Sequence, residues 1–111
     1  MSIPFYIDSY TFGRTGIKLC VPDANYIQQQ YNQNKLKGAD AEFPYWAKLW
    51  PASIALCEFI AANPNYIKNK TILELAAGLG LPSLLSAFYA TDVTASDYLP
   101  EAVEFIKQSA N

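Results

Sequence analysis

Histidine is absent from this chain, and cysteine occurs only as Cys20 and Cys57. Without histidine there is no His-based acid–base mechanism near neutral pH. With no CxxC pair either, a zinc site within the chain is excluded. The two cysteines lie far apart and read as lone buried thiols rather than a disulfide. No apolar run approaches the roughly 18–20 residues that cross a membrane. The N-terminus lacks a basic region leading into an apolar one, so no signal peptide is read, and the sequon Asn69-Lys70-Thr71 is taken as a chance match. A cytoplasmic protein without a membrane partner is expected.

Basic charge is scarce in the last third. Residues 1–70 hold seven basic and five acidic groups, net +2, whereas residues 71–111 hold one basic and five acidic groups, net −4. Such a chain shows no basic patch for nucleic acid, and its second part repels phosphates and tolerates a cation. The 111 residues, 51% apolar and 16% charged, suffice for one small folded domain.

Residues 3–12, IPFYIDSYTF, are rich in aromatic and β-branched types, as strands are. A turn over Gly13-Arg14-Thr15-Gly16 and a return strand over 17–21 complete a predicted β-hairpin. Asp23 is placed to cap a polar surface helix over 24–33, followed by a connector over 34–42. Pro51 fits the first turn of a helix whose Ile54, Leu56, Phe59 and Ile60 predict one buried face, ended by Asn63-Pro64. Residues 71–75 form a short apolar run without alternation, the pattern of a parallel strand covered on both faces. A helix over 82–89 follows, with Leu84, Leu85 and Phe88 toward the sheet, then a strand over 92–96 and a helix opening at Pro100. In that last helix Ala102, Val103, Phe105 and Ile106 are the packing candidates, with Glu101 and Glu104 complementing its dipole. The order from residue 71 onward is β-α-β-α.

In β-α-β units, ligands sit at the carboxyl ends of the strands. Glu74 and the small-residue turn Ala76-Ala77-Gly78-Leu79-Gly80 occupy one such end. Asp97 occupies the next, 19 residues past Gly78, a spacing that suits an acid hydrogen-bonding a ribose diol. Gly78 and Gly80 let the backbone approach a ligand closely. A dinucleotide calls for GxGxxG at a helix N-terminus. Here the third glycine is Ser83, Pro82 lacks an N–H, and Glu74 would repel a diphosphate. S-adenosylmethionine (SAM) carries a sulfonium and an ammonium instead, so charge sign favours the methyl donor over NAD.

Residues 73–80, LELAAGLG, resemble motif I of the seven-strand SAM-dependent methyltransferases, with Ala76 at the usual first glycine. Ala permits close approach there but disfavours positive φ. VTASDYLPEAV, residues 93–103, resembles the segment ending in the ribose-binding acid. YWAKLWPASIALCEFIAANP, residues 45–64, is similar to the Trp-Pro-led helix before motif I in the protein-lysine methyltransferase-like group, family 16. The resemblance implies that Glu74 contacts the methionine amino end, that Ala76, Ala77, Gly78 and Gly80 line the cofactor, and that Asp97 binds the ribose. It also implies that Trp50 and Trp46 wall the pocket, where an aromatic face attracts the sulfonium, and that Tyr98 touches adenine.

The fold class implied is α/β: an incomplete Rossmann-like methyltransferase sheet (βαβα) after an N-terminal β-hairpin and helices. Residues 1–42 form the extension, and residues 43–111 the amino-terminal half of the SAM-binding domain. The family transfers methyl to the nitrogen of a protein lysine or small amine, and its acceptor-facing residues are expected beyond residue 111. The chain is accordingly read as a truncated or split cofactor-binding half, inactive alone, with SAM and a complementing C-terminal half or self-association as partners. The rival reading is a non-catalytic nucleotide-binding or protein-interaction module, whose glycine turn is purely structural.

Overall fold

The computed structural model describes residues 3–38 and 40–111. Residues 1, 2 and 39 of the predicted extension and connector lie outside the described residues. The element order is β1 (Phe5–Phe12), β2 (Thr15–Pro22), α1 (Ala24–Leu36), α2 (Pro51–Ala62), β3 (Thr71–Glu74), α3 (Leu81–Ser86), β4 (Asp92–Ala95) and α4 (Pro100–Ala110). Single 3₁₀ turns at Tyr45–Ala47 and Pro64–Tyr66 flank α2. This is a mixed α/β chain consistent with a partial Rossmann-like methyltransferase fold.

β1 and β2 pair antiparallel with Phe12 opposite Thr15, so the hairpin loop is only Gly13-Arg14. Gly13 adopts φ 60°, which suits a two-residue primed turn. β1 is largely exposed, whereas β2 supplies Ile17, Leu19, Cys20 and Val21 to the core. The Ser109 hydroxyl of α4 accepts the Cys20 N–H at 2.8 Å. Thr15 Oγ1 and Tyr89 Oη lie 3.2 Å apart, linking the hairpin to the segment after α3. The hairpin therefore shares one core with Leu81, Leu85 and Phe105.

α1 begins as its cap predicts: the Asp23 carboxylate accepts the Tyr26 N–H at 3.1 Å. It runs three residues past the predicted 24–33, to Leu36, because Asn34, Lys35 and Leu36 carry no breaker and Gly38 comes only later. α2 corrects the predicted single buried face. Cys57 and Ile60 are buried, while Leu56 and Phe59 point outward. The helix is apolar on more than one side, so three- and four-residue spacing alone could not choose the covered one. Phe59 instead meets Tyr66, ring centroids 5.3 Å apart.

β3 and β4 pair in parallel, Thr71 opposite Asp92 through Glu74 opposite Ala95. Ile72 packs against the core, but Leu73 is 61% and Leu75 72% exposed. Covering on both faces, predicted from the unbroken apolar run, is thus met on one face among the described residues. α3 ends at Ser86, short of the predicted residue 89, and Phe88 lies beyond it at 63% exposure rather than on the sheet. Leu85 is buried and Leu84 half-buried against the core as predicted, and Leu81 takes the packing place predicted for Phe88. In α4, Ala102 and Phe105 are buried and Val103 and Ile106 half-buried. Both cysteines are free and buried. Burial, reinforced by the Glu74 and Glu58 charges, pushes the Cys57 thiol up to about 12, so it behaves as an inert apolar group. Among the described residues, no helix is long and apolar enough to cross a membrane.

Candidate functional site

The carboxyl ends of β3 and β4 are stitched together by hydrogen bonds. The Ser96 N–H donates to the Glu74 carbonyl at 2.9 Å, and the Ser96 hydroxyl donates to the same oxygen at 3.2 Å. The Ala77 N–H returns a bond to the Ser96 carbonyl at 2.9 Å. Above them, Asp97 reaches across. Its Oδ2 accepts the Gly78 N–H at 2.9 Å and its Oδ1 accepts the Leu99 N–H at 3.0 Å. The spacing of Asp97 from Gly78 thus becomes a direct contact between the two strand-end loops. A carboxylate offers about four acceptor positions. Two are taken, so one remains on each oxygen for a neighbouring pair of hydroxyls.

Three of the N–H donors in the turn over 76–80 are already bonded. The Ala77 N–H goes to Ser96, the Gly78 N–H to Asp97, and the Gly80 N–H to the Ala77 carbonyl at 2.9 Å. Pro82 has none. A diphosphate needs such donors free and a positive field besides. The side chains that build this cradle are Glu74, Ser83, Ser96 and Asp97, two acids and two hydroxyls with no base. That donor set fits a ligand presenting hydroxyls and positive charge, and does not fit a phosphate.

Glycine at position 78 is called for by its backbone angle, since the space would admit a Cβ in ordinary contact. A Cβ placed on Gly78 would sit 3.5 Å from the Trp46 carbonyl oxygen and 3.8 Å from the Trp46 Cα, and Gly78 adopts φ 58°. Trp46 therefore borders the turn through its backbone, while its ring packs on Phe105 with centroids 5.5 Å apart. Trp50 is placed differently from Trp46. Its Nε1–H donates to the Tyr45 carbonyl at 2.8 Å, and the Lys48 ammonium lies over its ring, 4.5 Å from the centroid. Tyr98 is 88% exposed. A concavity of about 400 Å³, lined by Trp46, Leu99 and Glu101 among others, adjoins the cradle on the α1 side.

Ala76 departs from expectation. Its φ is +52°, the left-handed region that sequence reasoning disfavours for alanine. The bonds of Ala77 to Ser96 and of Gly78 to Asp97 fix the chain on either side of the tight turn, so Ala76 takes the strain. A left-handed L-residue costs roughly 1–2 kcal/mol, and strain of this kind gathers at ligand sites. Ala76→Gly is expected to stabilise the chain by about 1 kcal/mol, allowing for glycine's greater freedom when unfolded. Urea unfolding of the two proteins measures it, and an unchanged or lower midpoint for the variant contradicts the strain.

Glu74 is half-buried beneath the turn. Its Oε1 accepts the Ser83 hydroxyl at 2.5 Å. Burial pushes its carboxyl above the usual carboxylate range, and bonds from the Ser83 hydroxyl and amide pull it back down. Ser83 and Ser96 were not singled out as site residues from the sequence. Ser83 stands at the third-glycine position, where its small size draws attention but its hydroxyl does not. Ser96 carries no signal beyond preceding Asp97.

The lysine methyltransferase family matches this chain over residues 24–111, beginning well before the 43–111 expected from motifs. The chain is 47% identical over 55 residues to the protein N-terminal and lysine N-methyltransferase efm7 of Schizosaccharomyces pombe, covering 48% of this chain and 22% of that protein. It is 34% identical over 65 residues to EEF1A lysine methyltransferase 3 of Mus musculus, 59% of this chain and 28% of the relative. It is 37% identical over 60 residues to protein N-lysine methyltransferase METTL21A of Danio rerio, 54% and 27% respectively. In each case the match spans about a quarter of the curated relative's length. With motif I, the ribose-acid segment and the Trp-Pro helix all inside the matched residues, the chain belongs to the lysine methyltransferase family.

Proposed function

We propose that this chain is the cofactor-binding portion of a SAM-dependent protein-lysine methyltransferase, with SAM held across the ends of β3 and β4. The observation that carries the reading is the cradle's donor set. The Ala77, Gly78 and Gly80 N–H groups are taken by Ser96, Asp97 and the turn itself, and the cradle's ionisable side chains are two acids. Asp97 would take the ribose hydroxyls on its two remaining acceptor positions. Gly78, Ala76 and Ala77 would let the backbone lie against the nucleoside, while the missing side chain of Gly80 makes room for Ile106 of α4. Glu74 would face the methionyl ammonium. Trp46, which borders the turn through its backbone, would wall the cradle, and the exposed rings of Trp50 and Tyr98 would be available to the ligand. SAM, when bound, supplies a methyl group on a sulfonium, ready for displacement by an amine.

These residues bind and orient; none is a base placed to relieve a lysine of its proton. Methyl transfer rests on alignment of the nucleophile with the sulfonium methyl. The acceptor-facing groups would then lie on polypeptide outside these 111 residues, and the exposed Leu73 and Leu75 face is where such polypeptide would pack. The lysines acted on by the relatives suggest a protein lysine as acceptor.

Titration calorimetry with SAM and with NAD tests the cofactor assignment. SAM is expected to give saturable heat and NAD none. Heat from NAD with none from SAM would sink it.

A further inference from the structure

Glu74 and Ser83 form a pair that neither the motif nor the family match assigns a joint role. Ser83 lies on α3, nine positions along the chain from Glu74, and is 5% exposed. Its hydroxyl points back at the Glu74 carboxylate, with 2.5 Å between the oxygens. The other groups around the carboxylate supply no positive charge. Cys57 of α2 faces it as a neutral thiol, Glu58 is the neighbouring acid on that helix, and Ser86 is buried one turn on. Apolar Ile60, Ile67, Ile72 and Pro82 line the same small recess of about 240 Å³. A carboxylate left alone in such surroundings takes up a proton. Neutral, it would offer an ammonium no charge.

We propose that Ser83 is a positioning residue for Glu74: its hydroxyl holds the carboxylate anionic and fixed against the start of α3, so that the site recognises the ammonium of an amino-acid-bearing nucleoside. This rests on the reading of the cradle as the SAM site. Ser83 touches no reacting atom and acts only through Glu74. Both the short bond and the opposing effects of burial and Ser83 on the carboxyl support the role.

The test follows the Glu74 side-chain carboxyl by ¹³C NMR through a pH titration in wild type, Ser83→Ala and Ser83→Thr. Ser83→Ala is expected to raise the Glu74 pKa further, because the hydroxyl bond that pulls it down is lost. Threonine, which keeps the hydroxyl, is expected to restore it. In parallel, SAM and adenosine are titrated into each protein. In Ser83→Ala, SAM affinity measured below the variant's own Glu74 titration midpoint is expected to fall severalfold, in proportion to the lost carboxylate. The deficit should shrink as the pH rises and Glu74 ionises. Adenosine, lacking the amino acid, should bind both proteins equally. An unmoved Glu74 titration overturns the proposal, as does equal loss of SAM and adenosine, which would mark Ser83 as merely structural. Should wild type bind neither ligand, the cofactor assignment falls, and the carboxyl titration still decides whether Ser83 governs Glu74.

Discussion

Asp97→Ala is expected to lose SAM affinity by about 100-fold. Each ribose hydroxyl bonded to a carboxylate contributes on the order of 1.5–3 kcal/mol, so two give roughly 3 kcal/mol or more, two decades in binding. The same change removes the acceptor for Gly78 N–H and Leu99 N–H, so the two strand-end loops also come apart. Asp97→Asn separates these effects. An amide keeps the size and one acceptor oxygen, but turns its NH₂ toward one of the two backbone donors, and it lacks the charge. It should fold like wild type by circular dichroism and still bind SAM at least tenfold more weakly, as loss of one charge-assisted bond implies. Calorimetry on the three proteins reads this out, and equal affinities would remove Asp97 from the site.

Gly80→Ala should be the most damaging single methyl group in the chain. Gly80 opens α3 at φ 79°, its carbonyl accepting the Leu84 N–H at 2.9 Å. An added Cβ would sit 2.8 Å from Ile106 Cγ1 and within 3.3 Å of both Cδ1 and Cγ2. Ile106 is β-branched, so rotating one arm away brings the other in. The left-handed backbone costs roughly 1–2 kcal/mol and the overpacking about 1–3 kcal/mol, or about 2–5 kcal/mol together. Adding Ile106→Ala should recover the steric share, leaving the backbone share, so the pair should show a coupling of about 1–3 kcal/mol in urea unfolding. A loss below about 1 kcal/mol for Gly80→Ala alone would mean that α4 yields where the packing says it cannot.

Local chemistry made part of this legible in the sequence. Asp23 capped α1 because an N-cap needs only its own next three residues. Asp97 and Gly78 met because a parallel β-α-β unit brings successive strand ends together, whatever the rest of the chain does. The illegible part was non-local. Which side of α2 is covered depended on what α3 and the hairpin offered, so Leu56 and Phe59 went to the surface. Phe88 fell outside α3 because the helix stopped at Ser86, and no breaker announces that stop. Ala76 was assigned the conformation alanine prefers. The surrounding hydrogen bonds overrode that preference, and only coordinates reveal such an override. Ser83 was weighed by volume, whereas its consequence lies in the direction of one O–H bond.

β2 lies outside the segment shared with the family, yet it carries Leu19 at 0% exposure against Leu81, Leu85 and Phe105. Homology and foldability therefore draw their borders at different places. Anyone trimming this polypeptide for expression at the point where kinship becomes recognisable would cut away the roof of its own interior, and what is left would be a sticky shard rather than a minimal domain.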